Sequence, residues 1–70
     1  MTTGEKIAAL RREKGLSQEG LGEQLGLSRQ AVSKWEADQA VPTMDNLVEL
    51  SRLFGVPVDT LLRPEEELPG

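Results

Sequence analysis

Four hydrogen-bonding side chains lie at helical spacing between residues 29 and 34 of this chain. With Val32 at 0° on a helix that turns 100° per residue, Arg29 and Ser33 fall at about 60° and 100°. Gln30 and Lys34 fall at about 160° and 200°, so all four lie away from Val32. Each side chain can donate hydrogen bonds, and no carboxylate interrupts the row. The pattern indicates a helix face that binds a polyanion.

The same four side chains also suit a solvated helix face, which is their more common role when they are considered alone. Which role applies depends on the elements that hold this helix. If those elements leave the helix exposed at a fixed angle, it fits the major groove of B-form DNA. There arginine pairs with guanine and glutamine with adenine, each through two hydrogen bonds.

The composition of the 70 residues narrows the classes of function. Cysteine and histidine are both absent, which excludes disulfides, the usual structural zinc sites and histidine-based catalysis. We therefore expect one small domain that is not an enzyme and holds neither a metal nor a cofactor. No basic segment followed by an apolar run opens the chain, and no stretch approaches the roughly 20 apolar residues of a membrane span. These observations predict a cytoplasmic protein that does not enter membranes.

Charge is distributed unevenly along the chain. Residues 1–34 carry six basic and four acidic side chains, for a formal charge of +2. Residues 35–70 carry two basic and eight acidic side chains, for a formal charge of −6. The first half is therefore the half expected to face an anion. Binding to nucleic acid should rely on local geometry and should be sensitive to salt.

The hydrophobic pattern predicts an all-α fold. β-branched residues are sparse, only two residues are aromatic, and nothing alternates with the period of a strand. Apolar residues at three- and four-residue spacing predict five helices, over residues 5–14, 18–25, 29–37, the stretch between a Thr43 cap and Gly55, and 58–62.

Caps and stop signals divide the segment between residues 15 and 36 into two short helices. Ser17 and Ser28 each precede a helix and can accept its free N–H groups. Gly15 and Gly26 supply the left-handed conformation that ends the preceding helix. The side chains expected to hold the two helices together are Leu21, Leu25, Leu27, Val32 and Trp35.

The two helices and their flanks carry a recurring motif. Its apolar and glycine positions are Leu21, Gly22, Leu25, Gly26, Leu27, Val32 and Trp35. The flanking segments that belong to the motif are residues 14–18, 28–30, 33–36, 46–47 and 53–56, together with Pro42. This pattern resembles the helix-turn-helix of the Xre and Cro/phage-repressor family, and the resemblance covers residues 4–62. It implies a compact, lambda-repressor-like DNA-binding domain of five helices, with the helix-turn-helix at helices 2 and 3. It also implies a small transcriptional regulator that acts as a repressor and binds double-stranded DNA.

The resemblance assigns DNA binding residue by residue, to Ser17, Gln18, Ser28, Arg29, Gln30, Ser33, Lys34 and Asn46. Arg29 and Gln30 are the strongest candidates for reading base sequence. Ser33 and Lys34 also fall on the family's base-reading and groove-wall positions. Gln18 is expected to contact a phosphate and to steady the start of the third helix. The two capping serines serve either as caps alone or also as phosphate ligands. Asn46 either contacts the sugar-phosphate chain or is a local turn residue.

Other positions that match the family have structural roles. Arg11 and Glu36 correspond to a buried ion pair between helices 1 and 3, and Trp35 is expected in the core. Gly20 and Gly22 depart from the family's usual glutamate and alanine. Gly20 loses the reciprocal cap with the preceding serine, and a glycine within a helix costs about 0.5–1 kcal/mol relative to alanine. We therefore expect helix 2 to be the loosest of the first four helices.

Domain limits and partners follow from the same pattern. Residues 1–64 should form the DNA-binding domain, and residues 65–70 an acidic, frayed tail. One recognition helix reads only a few base pairs, so a homodimer on half-sites about one helical turn apart is expected, at least on DNA. The apolar residues available near the C-terminus either form the dimer surface or close the core, and they are Val56, Val58, Leu61 and Leu62.

Two alternatives involve a protein partner. The chain could be an antitoxin that represses its own operon and holds a toxin, or a regulator that an antirepressor titrates. It could also be an interaction module that keeps the helix-turn-helix frame but binds protein, which its acidic second half permits.

Overall fold

The computed structural model describes residues 1–63, which form five α-helices and no strand. The helices are α1 (Thr3–Glu13), α2 (Gln18–Leu25), α3 (Arg29–Glu36), α4 (Met44–Phe54) and α5 (Val58–Leu62). The all-α prediction and the number of helices are confirmed. The predicted tail at residues 65–70 and the domain limit at residue 64 lie outside the described residues.

The predicted start of α1 at residue 5 is wrong by two residues. Thr2 is the N-cap, and its hydroxyl accepts a hydrogen bond from Glu5 N at 3.1 Å. The Glu5 carboxylate accepts a return bond from Thr2 N at 2.8 Å, which completes a capping box. Because both bonds satisfy backbone donors at the helix start, α1 begins at Thr3. At the other end Lys14 is exposed and lies outside the helix.

The hydrophobic core lies between all five helices. It combines the inward faces of α1 and α4 with one or two residues from each shorter element, and its members are Ile7, Leu10, Leu21, Val32, Trp35, Leu47, Leu50, Phe54, Val56 and Leu61. Full burial of a leucine or isoleucine side chain contributes about 1.5–3 kcal/mol relative to exposure, so these contacts supply most of the driving force for folding. Leu25 and Leu27 are partly buried against this core.

A lysine that the sequence analysis did not single out ties α1 to α5. Lys6 is fully buried, and its Nζ donates hydrogen bonds to Thr60 O at 2.6 Å and to Arg63 O. These carbonyls lie at the C-terminal end of α5, where backbone acceptors have no partner within the helix. Lys6 thereby satisfies the end of a five-residue helix that is too short to be stable by itself.

Two of the four apolar residues proposed for a dimer surface close the core. Val56 and Leu61 are buried and Val58 is half-buried, whereas Leu62 keeps 37% of its surface exposed. The alternative role, closing the core, therefore holds for the two buried residues. None of the helices in residues 1–63 is both long enough and apolar enough to cross a membrane.

Candidate nucleic-acid interface

Helix α3 is held on one side and exposed on the other. It packs against α1 and α2, and the side chains of Val32 and Trp35 are buried at this contact. Trp35 keeps only 5% of its surface exposed, which confirms its predicted place in the core. The two residues fix the rotation of α3 about its axis, since turning the helix would expose both of them.

The opposite side of α3 carries the predicted binding residues. Arg29, Gln30 and Lys34 are exposed, and Ser33 is half-buried between them. Within the described part of the chain, the side chains of the three exposed residues form no hydrogen bond or ion pair. Ala37, just after the helix, is also exposed and is too small to hold a partner away. Long donors flanking small residues allow this face to approach a surface closely.

The turn before α3 sets the angle between the two helices of the motif. Gly26 adopts φ 72°, and Leu27 N donates to Gly22 O at 2.8 Å. A Cβ at Gly22 would lie 2.7 Å from Leu27 O and 3.2 Å from Ser28 O. The absence of a side chain at Gly22 therefore permits the close approach of the turn to α2.

Both predicted serine caps are present. Ser17 Oγ accepts a hydrogen bond from Gly20 N at 2.9 Å, and Ser28 Oγ accepts one from Ala31 N at 3.4 Å. Neither bond uses the hydroxyl hydrogen, which stays available as a donor. Contact of these hydroxyls with phosphate therefore stays a prediction, alongside their role as caps.

An ion pair joins α1 to the last residue of α3. Arg11 Nε lies 2.7 Å from Glu36 Oε2, and Arg11 Nη2 donates to Glu36 Oε1 at 3.1 Å. Arg11 Nη1 also donates to Leu16 O at 2.9 Å. The two side chains keep only 12% and 8% of their surface exposed, so the predicted pair between helices 1 and 3 is confirmed.

Gln18 completes this network. Its Nε2 donates to Glu36 Oε1 at 3.0 Å, so Gln18 contacts the end of α3 instead of steadying its start as expected. The amide retains a second N–H and a carbonyl oxygen for a further partner. The Gln18 side chain is half-buried, and its predicted contact with phosphate stays a prediction.

The network shifts the pKa of both ionised partners. Burial raises the pKa of Glu36, but hydrogen bonds from Arg11 and Gln18 and the charges of Arg11 and Arg12 outweigh it. The pKa of Glu36 is therefore lower than its ordinary value. The hydrogen bond to Glu36 raises the pKa of Arg11 despite the opposing effect of burial. Both groups are charged near neutral pH, which keeps the end of α3 tied to α1.

A second connection, which the sequence analysis missed, joins the loop after α3 to the start of α1. Asp38 adopts φ 57°, and its carboxylate accepts hydrogen bonds from Thr2 Oγ1 at 2.6 Å and Gly4 N at 3.0 Å. A Cβ at Gly4 would lie 2.9 Å from Glu36 O, closer than real Cβ contacts. The carboxylate also interacts favourably with the positive end of the α1 dipole. The C-terminal end of α3 is thus fixed at two points.

Asn46 lies in the first turn of α4, whose N-cap is Thr43. Its backbone N–H donates to Thr43 Oγ1 at 3.2 Å, while its half-buried side chain has no hydrogen-bond partner within residues 1–63. This geometry leaves the amide available at a helix N-terminus, where backbone N–H groups attract anions.

Within residues 1–63, no three histidine, cysteine, aspartate or glutamate side chains form a group that could hold a metal ion.

Comparison with protein families matches residues 7–61 to the helix-turn-helix family model. Over 66 residues the chain is 47% identical to the HTH-type transcriptional activator BcrR of Enterococcus faecalis. The alignment covers 94% of this chain and 32% of BcrR, so the chain spans about a third of that relative's length. It is also 41% identical over 66 residues to the uncharacterised HTH-type transcriptional regulator y4dJ of Sinorhizobium fredii, covering 94% and 86% of the two chains.

Among solved structures, the fold is similar to the c2 repressor of Salmonella phage P22 in a crystal structure with the synthetic operator 9T. The TM-score is 0.86 at 34% sequence identity, and the match covers 93% of this chain and 98% of that one. The lambda-repressor-like architecture expected from the sequence is confirmed by this similarity and by the five helices.

Proposed function

Because the chain belongs to the helix-turn-helix family of Xre/Cro-type transcriptional regulators, we propose that it binds double-stranded DNA sequence-specifically and represses transcription. The observation that carries the proposal is the exposed face of α3. Its donors have no partner within residues 1–63, while its opposite side is held by the core and at two further points. A rigid helix with uncommitted donors fits the major groove.

Within this proposal, Arg29 and Gln30 read base edges. Arg29 is suited to guanine O6 and N7, and Gln30 to adenine N6 and N7. Ser33 and Lys34 contact base edges or the groove wall. The residues that would contact the sugar-phosphate chain are Ser17, Gln18, Ser28 and Asn46, because each lies at a helix start.

Binding as a homodimer completes the proposal. One copy of α3 is eight residues long and reaches only a few base pairs. Two copies related by a two-fold axis would read half-sites one helical turn apart, about 34–36 Å or 10–10.5 base pairs between centres. Occupancy of such a site would repress transcription where the site overlaps a promoter. This proposed role is non-enzymatic. It would be carried out in the cytoplasm, since bacterial and phage operators are found there.

Selection of bound sequences from a random duplex pool tests this function. We expect enrichment of a palindrome whose half-sites are separated by about one helical turn. The R29A protein, selected in parallel, should lose the preference at one base pair per half-site while remaining folded. Failure of the wild-type protein to enrich any sequence would contradict the proposal.

A protein-binding module is the alternative, with a toxin or an antirepressor as possible partners. The acidic second half of the chain favours it, because a negative surface weakens attraction to DNA. Titration with a random duplex at two salt concentrations separates the two functions. DNA affinity should fall steeply between about 50 mM and 200 mM salt. If the protein binds no duplex at the lower or at the higher salt concentration, the protein-binding function is favoured.

A further inference from the structure

A groove between α1 and α3 opens beside the exposed face of α3. Its volume is about 530 Å³, and Gln18, Ser33 and Arg12 all line it. Two of these residues already belong to the proposed DNA interface. The groove therefore continues that interface from α3 toward α1. Small side chains, among them Ala8 of α1 and Ala37 just after α3, leave room for a ligand to approach the backbone.

The charged groups of the groove differ in how far they are committed to other contacts. The Glu5 carboxylate accepts the capping hydrogen bond from Thr2 N, and Glu36 is paired with Arg11. Arg12 is exposed, and its guanidinium forms no hydrogen bond or ion pair within residues 1–63. Arg12 lines the groove together with Ser33 and Glu36 of α3, so its side chain lies on the side of α1 that faces α3. Its charge also stabilises the Glu36 carboxylate. Of two consecutive arginines, one is therefore structural and the other is available to a ligand.

We propose that Arg12 binds a phosphate of the DNA backbone that passes this groove when α3 lies in the major groove. The inference rests on the proposed function and adds a residue of α1 to the interface. A helix in the major groove is bordered by both sugar-phosphate chains, so the element next to α3 meets one of them. An uncommitted guanidinium beside Gln18 and Ser33 suits the anionic oxygens of that chain.

Salt dependence of binding tests this role. The variants are R12Q, R12K and a matched control R52Q, since Arg52 is an exposed arginine on α4 that does not line the groove. Affinity is measured by fluorescence anisotropy, at several salt concentrations, for a duplex selected from the random pool and for an unselected duplex. Unfolding followed by tryptophan fluorescence verifies that each variant is folded.

We expect the R12Q protein to bind both duplexes more weakly by the same factor, because a phosphate contact carries no sequence information. The slope of log affinity against log salt should become shallower by about 0.9 for each bound protomer. R12K should restore most of that slope, and R52Q should match the wild-type protein. An R12Q slope equal to that of R52Q would overturn the role of Arg12 while leaving the proposed function in place. Failure of the wild-type protein to bind either duplex would overturn both.

Discussion

Replacing Arg11 by alanine removes the ion pair that joins α1 to the end of α3. Arg11 donates two hydrogen bonds to Glu36 and a third to Leu16 O. After the replacement, the Glu36 carboxylate keeps the hydrogen bond from Gln18 and the charge of Arg12. Because the side chain of Glu36 keeps only 8% of its surface exposed, water compensates for little of what is lost.

The expected loss is a large part of the free energy of unfolding. Removing one member of a buried pair costs about 3–5 kcal/mol, since the other charge stays buried without its partner. The loss of the Leu16 carbonyl contact adds to it. The free energy of unfolding of small domains is about 5–15 kcal/mol, and a domain of this size lies near the lower end of that range. We therefore expect the R11A protein to be largely unfolded and to lose DNA binding for that reason.

Urea unfolding, followed by the fluorescence of the buried Trp35 and by circular dichroism, measures this loss. R29A is the matched control, because Arg29 is exposed. The unfolding free energy of the R29A protein should differ from that of the wild-type protein by no more than about 0.5 kcal/mol. R29A should stay folded and bind the selected duplex more weakly, by the about 1–3 kcal/mol that one base contact contributes. The double variant R11A/E36A should be more stable than the sum of its single variants implies. A cooperative R11A transition within about 1 kcal/mol of the wild-type protein would refute this account of the pair.

Three further predictions concern the contacts around α2 and α3. G22A should destabilise the protein by about 1–3 kcal/mol, because its Cβ would meet Leu27 O at 2.7 Å; a gain in melting temperature would contradict this. D38A should lower the free energy of unfolding by about 1–3 kcal/mol, because it removes two hydrogen bonds to the start of α1. Urea unfolding measures this loss, and an unchanged midpoint would count against the link between Asp38 and α1. The lowered pKa of Glu36 contributes stability that is full above the ordinary glutamate pKa of about 4.3 and is lost as the pH falls through the folded pKa. Stability measured from pH 7 to pH 3 should therefore decline in acid, and E36Q should show a shallower decline; equal profiles would exclude this contribution.

Local signals explain why the helix-turn-helix was predictable from the sequence. Ser17 and Ser28 cap their helices through bonds that span three residues, and Gly26 ends α2 with φ 72°. The bounds of α2 were accordingly predicted to the residue. Those of α5 also matched the prediction, whereas α3 ends one residue earlier than predicted, at Glu36. The start of α1 was missed although Thr2 and Glu5 have the spacing of a capping box, so a sequence signal was present.

The missed contacts join residues that are far apart in the chain. Lys6 Nζ binds a carbonyl 54 residues away, and Asp38 binds the N–H of Gly4, 34 residues earlier. No periodicity or capping rule identifies such partners, because they depend on how the helices pack. The availability of Arg12, next to the paired Arg11, likewise emerges only from the packing of α1 against α3. The expected looseness of α2 stays a prediction, to be measured by hydrogen exchange against α4.

Methylation protection of the selected duplex tests the central claim, that α3 reads bases in the major groove. Dimethyl sulfate methylates guanine N7, which faces the major groove, and adenine N3, which faces the minor groove. We predict that the wild-type protein protects guanine N7 within each half-site and that R29A loses protection at one guanine per half-site. Protection confined to adenine N3, or an R29A pattern identical to that of the wild-type protein, would contradict the placement of α3 in the major groove.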